Sequence, residues 1–214
     1  MKIEVKKNVL QNNDLAAARN RSRLAGKRTA MLNLMAAPGA GKTSAIIKAI
    51  EGTRDSRALA VIEGDITSEV DSLAIEALGI PAIQINTGGS CHLTASMIGA
   101  ALDHLDLDNL DLIIVENVGN LVCPAEFDLG ESARVTISSV AEGHDKPLKY
   151  PLVFREVDAV VINKTDLMPY CDFDLAFFRD AVERLNPDAH VLRMSCRDGS
   201  GSEEWCRWLM NSVV

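Results

Sequence analysis

A chain of 214 residues with 47% hydrophobic content is long enough to bury a sizeable core, and its length favours one globular unit spanning residues 1–214. Acidic residues outnumber basic ones 30 to 22, a net charge of −8, so no global basic field draws the chain to a nucleic acid or an anionic membrane. No apolar run reaches bilayer-spanning length, and Met1 to Lys7 are mixed and charged where a signal peptide would be apolar, which together predict a cytoplasmic protein.

In chain order, Asn13 to Gly26 mixes small apolar residues with Arg19, Arg21 and Arg23 and stops at a glycine, as a leading amphipathic helix would. The apolar run Ala30 to Ala37 breaks at Pro38-Gly39-Ala40-Gly41, and helical periodicity resumes at Ile46, Ile47 and Ile50, a strand, loop and helix in succession. Further strands are expected at Ala58–Ile62, Pro81–Ile85, Asp111–Val115, Arg134–Ser139, Val157–Asn163 and His190–Met194, with helices between most of them. Near-continuous apolar strands alternating with helices predict an α/β fold whose mostly parallel sheet is covered on both faces. Gly119 to Pro151 is the least regular stretch, and such segments are often functional.

Ala36-Ala37-Pro38-Gly39-Ala40-Gly41-Lys42-Thr43 has the spacing of a P-loop, with Ala36 in place of the first glycine. Small residues let successive backbone N–H groups wrap phosphates at a helix N-terminus, Lys42 reaches the β- and γ-phosphates, and Thr43 ligates Mg²⁺. Pro38, Gly39, Ala40, Gly41, Lys42, Thr43 and Ser44 are therefore the expected nucleotide contacts. Asp65 and Glu116 stand at strand ends where an α/β sheet presents ligands, and either carboxylate suits Mg²⁺ directly or through water. Lys42, Thr43, Asp65 and Glu116 form the expected catalytic set. Gly119 occupies the place of a γ-phosphate sensor, whose backbone N–H binds the terminal phosphate and is released on hydrolysis.

Asn163-Lys164-Thr165-Asp166 places N-K-x-D after an apolar strand. A carboxylate is acceptor-only and takes both the N1–H and the amino group of guanine, whereas adenine lacks that donor pair, so Asp166 reads as a guanine selector. Resemblance to GTPases in general implies that Asn163 contacts N7 and buttresses the loop, and that the Lys164 stem lies along the base. In the same way Ser195-Cys196-Arg197 resembles the loop whose backbone N–H approaches the guanine O6, with Cys196 where alanine is usual.

Cys91, Cys123, Cys171, Cys196 and Cys206 are an odd number of cysteines and predict free thiols or thiolate ligands instead of a disulfide framework. Cys91-His92 follows Gly88-Gly89-Ser90, and Cys123 lies shortly after Gly119, both near predicted strand ends on the nucleotide face. Thiolate and imidazole suit Ni²⁺ or Zn²⁺, yet two or three ligands do not close a tetrahedral site. Two copies about a twofold axis would supply four thiolates. Cys171, Cys196 and Cys206 read as small apolar core residues.

The segments Gly88 to Leu93, Val115 to Pro124 and Asp145 to Pro151, taken with Asn163 to Asp166, closely resemble the HypB-type hydrogenase maturation GTPases, and the likeness extends to Asn13-Asp14 and Asn20-Arg21. The resemblance implies a P-loop GTPase related to the signal-recognition and nitrogenase-iron-protein group. It implies a GTP-promoted homodimer that uses GTP, GDP and Mg²⁺, binds Ni²⁺ or Zn²⁺ through Cys91, His92 and Cys123 at its interface, and serves hydrogenase maturation proteins and the hydrogenase large subunit. Loop length and the same likeness suggest that Lys146 or Lys149 reaches the partner's nucleotide. The chain has no cysteine or histidine before Cys91, so the nickel-binding and histidine-rich leaders of some members are missing and storage is not expected. Two other readings share the P-loop, a urease-type nickel-insertion GTPase and a small-molecule kinase. A third is a metal-binding module that uses nucleotide only structurally.

Overall fold

The computed structural model describes residues 5–65 and 75–213. A seven-stranded, wholly parallel sheet is built from β1 (Ala30–Ala36), β2 (Leu59–Asp65), β3 (Ala82–Asn86), β4 (Leu112–Glu116), β5 (Ala133–Ser139), β6 (Ala159–Asn163) and β7 (His190–Arg193), in the order β3-β2-β4-β1-β5-β6-β7. The main helices are α1 (Val5–Lys27), α2 (Lys42–Thr53), α3 (Ala95–Leu102), α6 (Leu175–Leu185) and α7 (Ser202–Ser212), and two short ones, α4 (Lys146–Lys149) and α5 (Pro151–Arg155), follow β5. Among the described residues, no helix is long and apolar enough to cross a membrane.

Alternation along β1 sorts the core into two faces. Leu32, Leu34 and Ala36 pack with Ile46 and Ile50 of α2 and with Trp205 and Leu209 of α7, while Met31 and Met35 point to the opposite face. On that second face Met31 clusters with Leu24 of α1 and Ile98 of α3, and Met35 with Phe154 of α5 and Phe178 of α6. Asn33 shares the Met31 and Met35 face and is fully buried, a polar break in an otherwise apolar strand.

The leading helix is longer than the pattern suggested, because Val5 to Asn12 contains no breaker and continues the helix backwards. Two asparagines two turns apart on one face fasten it. Asn13 donates to the Asp128 carbonyl at 2.7 Å and accepts from the Ala95 N–H at 2.9 Å, and Asn20 donates to the carbonyls of Ala95 at 2.8 Å and Leu129 at 3.0 Å. Arg21 adds a forked pair to Asp128 at 2.9 Å. The irregular Gly119 to Pro151 stretch resolves into a 3-10 turn at Cys123–Glu126, then β5, α4 and α5. With β1 flanked by β4 and β5, the crevice above its carboxyl end is the place where a doubly wound sheet presents ligands.

Candidate functional site

The phosphate-binding spacing sits at that crevice. β1 ends at Ala36 and α2 begins at Lys42, with Gly39 (φ +77°) and Gly41 (φ +99°) in left-handed conformations between them. Ala36 itself is fully buried within β1 and forms an antiparallel bridge to Asn120, so the backbone freedom of a glycine is not needed there. No side-chain oxygen caps α2, which leaves its first N–H groups facing the loop, the arrangement that suits an anion. The Lys42 ammonium lies 4.0 Å from Glu116 Oε1, and the Thr43 hydroxyl donates to the same oxygen at 3.0 Å. A hydroxyl and a carboxylate side by side form a hard-oxygen donor set that fits Mg²⁺. The side chain of Asp65, like residues 66–74, lies outside the described residues. Gly119 approaches the loop so closely that a Cβ on it would stand 3.1–3.3 Å from Pro38 atoms.

The base end is wired to the phosphate end. Asn163, 1% exposed at the end of β6, donates to the Ala40 carbonyl at 2.9 Å and accepts from the Cys196 N–H at 3.4 Å. A Cβ on Gly41 would collide with its carboxamide. Lys164, held at φ +60°, reaches back to the Gly39 carbonyl at 2.7 Å. The Asp166 carboxylate accepts from the Ser195 hydroxyl at 2.8 Å, which fixes one oxygen. Gly41, Ser44, Asn163, Lys164, Asp166, Leu167, Cys196 and Arg197 line a cavity of about 300 Å³ here. Burial raises the Cys196 thiol above its ordinary value, so it stays protonated and serves as a small wall. The sequence pattern did not reveal Leu167 as a wall or the Ser195 side chain as the orienter of Asp166.

Cys91, His92 and Cys123 come together, their ligand atoms all within 4.8 Å of one another. The sequence places them 32 positions apart at the extremes, and the fold closes that gap through Asn120. Its carboxamide donates to the Cys91 carbonyl at 3.2 Å and accepts from the Val122 N–H at 2.9 Å. Cys91 is exposed and the other two are half-buried. A hydrogen bond with Cys123, then burial, hold the Cys91 thiol above its usual value. Burial lowers His92 despite Glu126 nearby, which favours the neutral imidazole a metal requires. The His92 ring lies on Phe127, centroids 3.9 Å apart, a contact absent from any motif. Two sulfurs and an imidazole form a borderline-soft set that fits Ni²⁺ or Zn²⁺ and stops one ligand short of a closed tetrahedron. Cys171, Cys196 and Cys206 stand apart from this cluster, packed against the core as free thiols.

Lys146 and Lys149 lie on α4. Lys149 pairs with Asp145 at 2.6 Å, and the Lys146 ammonium rests 5.2 Å from the Tyr150 ring centre.

The family model described as the CobW/HypB/UreG nucleotide-binding domain matches residues 30–193. The chain is 49% identical to hydrogenase maturation factor HypB of Azotobacter vinelandii, across 97% of this chain and 68% of that protein. It is 36% identical to the probable hydrogenase maturation factor HypB of Methanocaldococcus jannaschii, across 99% of this chain and 96% of that one. Among solved structures, HypB from Helicobacter pylori in complex with nickel superposes with a TM-score of 0.89 at 35% identity, covering 95% of this chain and 98% of that chain. The LAO/AO transport system kinase, at 18% identity and a TM-score of 0.60, shares the fold.

Proposed function

We propose, from the premise that the chain belongs to the CobW/HypB/UreG nucleotide-binding family and within it to the HypB-type hydrogenase maturation factors, that it is a GTP-hydrolysing nickel metallochaperone. Asp166, oriented by Ser195, selects guanine. Asn163, Lys164 and the Cys196 backbone frame the base, and Pro38, Gly39, Ala40, Gly41, Lys42, Thr43 and Ser44 enclose the phosphates. Thr43 and Glu116, with Asp65 as a further carboxylate, would hold Mg²⁺, which when bound spreads the negative charge of the transferring phosphoryl group. Lys42 carries the remaining charge stabilisation.

The cargo is nickel, with zinc as the competing ion, held by Cys91, His92 and Cys123. A second copy completes the site in a GTP-promoted homodimer. The setting is the cytoplasm, and the recipients are hydrogenase maturation proteins and the hydrogenase large subunit. One observation carries the reading: Gly119 packs on Pro38 of the phosphate loop, and Cys123, four residues later, sits in the metal cluster. One short segment thus runs from the phosphate loop to the metal cluster.

Phosphate release from GTP without any acceptor tests the enzyme half. Lys42→Ala should lower it on the order of 100-fold while GTP outcompetes ATP for the unaltered chain. Equal turnover in the variant would remove the enzyme reading. Release only on addition of an acceptor would favour the kinase.

A further inference from the structure

The two ends of the site meet inside the protein as well as on its surface. Asn117, 1% exposed just beyond β4, accepts two backbone hydrogen bonds on one carboxamide oxygen. One comes from the Val118 N–H at 2.9 Å, in the segment that leads into Gly119. The other comes from the Leu93 N–H at 3.2 Å, immediately after Cys91-His92. Because both partners are donors, this atom must be the oxygen, and the amide orientation is fixed.

The other half of the carboxamide is anchored. Its Nδ2 donates to Asn33 Oδ1 at 3.1 Å, Asn33 donates to Glu131 Oε1 at 3.1 Å, and the same oxygen receives Arg134 Nε at 2.7 Å. The second Glu131 oxygen accepts from the Leu129 N–H at 2.6 Å. The Asn117 backbone N–H is tied to the Leu34 carbonyl at 3.0 Å. Asn117 is therefore a fixed post in the core, reached at one oxygen by both the segment that leads to Gly119 and the loop that follows Cys91-His92. Asn120 ties Cys91 to Val122 and bridges Ala36 through its backbone, a second link nearer the surface, whereas Asn117 is the buried one.

We propose that Asn117 is the positioning residue that transmits nucleotide state to the metal site, a step that rests on the GTP-dependent metallochaperone reading above. When a terminal phosphate draws the Val118–Gly119 backbone toward the loop, the shared oxygen loses one of its two donors. Its attraction for the Leu93 N–H then strengthens, and the loop carrying Cys91 and His92 re-seats. Metal at that loop biases the same oxygen in reverse, as linkage requires. A buried carboxamide oxygen cannot be left without any donor, so giving up the Val118 N–H holds it to the Leu93 N–H, and the exchange is discrete instead of gradual.

The test is the ratio of Ni²⁺ affinities in the GDP state and in a non-hydrolysable GTP state, each measured by competition with a chelator. The unaltered chain should show a ratio of about fivefold or more. Asn117→Ala should bring it to within about twofold of unity, with GDP affinity and metal stoichiometry kept, because neither pocket loses a contact. Asn13→Ala, which removes two comparable buried hydrogen bonds at α1, should lower stability and leave the ratio alone. If Asn117→Ala does not fold, Asn117→Leu, which fills the volume without an acceptor, should lose the ratio in the same way. A ratio of unity in the unaltered chain would overturn the coupling reading and the role of Asn117 with it. A ratio that survives Asn117→Ala or Asn117→Leu would overturn the role of Asn117 alone.

Discussion

Around Asp166 a single chain supplies every wall and brace: Ser195 holds one carboxylate oxygen, Asn163 spans to Ala40 and Cys196, and Lys164 closes on Gly39. Around Cys91 the described residues supply two sulfurs and an imidazole, partly open to solvent. The base end is preorganised, so binding there spends little on ordering side chains. On the dimeric reading proposed above, the metal end is half a site. A tightly built nucleotide pocket beside an incomplete metal centre is what a loading and unloading device needs, because cargo can leave a site that its own chain does not close.

The contrast can be broken first at Asp166. Asp166→Asn replaces the acceptor of two guanine donors with an amide and should weaken GTP binding by about 3 kcal/mol, roughly a hundredfold, while xanthine nucleotide, with an acceptor at the 2-position, gains. Competition binding with both nucleotides measures this, and unchanged GTP affinity would mean the base lies elsewhere. Ser195→Ala sharpens the same point with a smaller effect. It removes one hydrogen bond that orients the carboxylate without touching the ligand, and should cost about 1 kcal/mol of GTP affinity, roughly fivefold, leaving metal affinity in the GDP state unchanged. A loss as large as that of Asp166→Asn would show that Ser195 contacts the base itself.

What the sequence disclosed and what it hid divide along contact distance. The phosphate loop and Asn163 to Asp166 are legible because each is contiguous, with its chemistry written in adjacent residues. The parallel sheet was legible because strands buried on both faces read as apolar runs. Cys91, His92 and Cys123 were legible through residue type and resemblance, and the fold supplies the proximity that spacing cannot. The Asn117 post was not legible. Its partners Asn33 and Leu93 lie 84 and 24 positions away, and Asn33 reaches Glu131 across 98 more. One signal was present: Asn33 interrupts the apolar run Ala30 to Ala37, and a buried amide in a central strand demands a partner. Ser195 was placed in the base loop, but the role of its side chain escaped for the same reason, since its hydroxyl meets Asp166 across 29 positions.

The central claim is that nucleotide assembles a shared metal centre from two incomplete halves, and the most direct measurement is mass and metal content together. The chain is loaded with Ni²⁺ in the GDP state and in a non-hydrolysable GTP state, and native mass spectrometry reads both quantities from one particle. The account predicts that the GTP state gives a two-chain species carrying one interfacial Ni²⁺, and that Cys91→Ala or Cys123→Ala removes the ion without removing the nucleotide. A one-chain species carrying its own Ni²⁺ equally in both nucleotide states would contradict it.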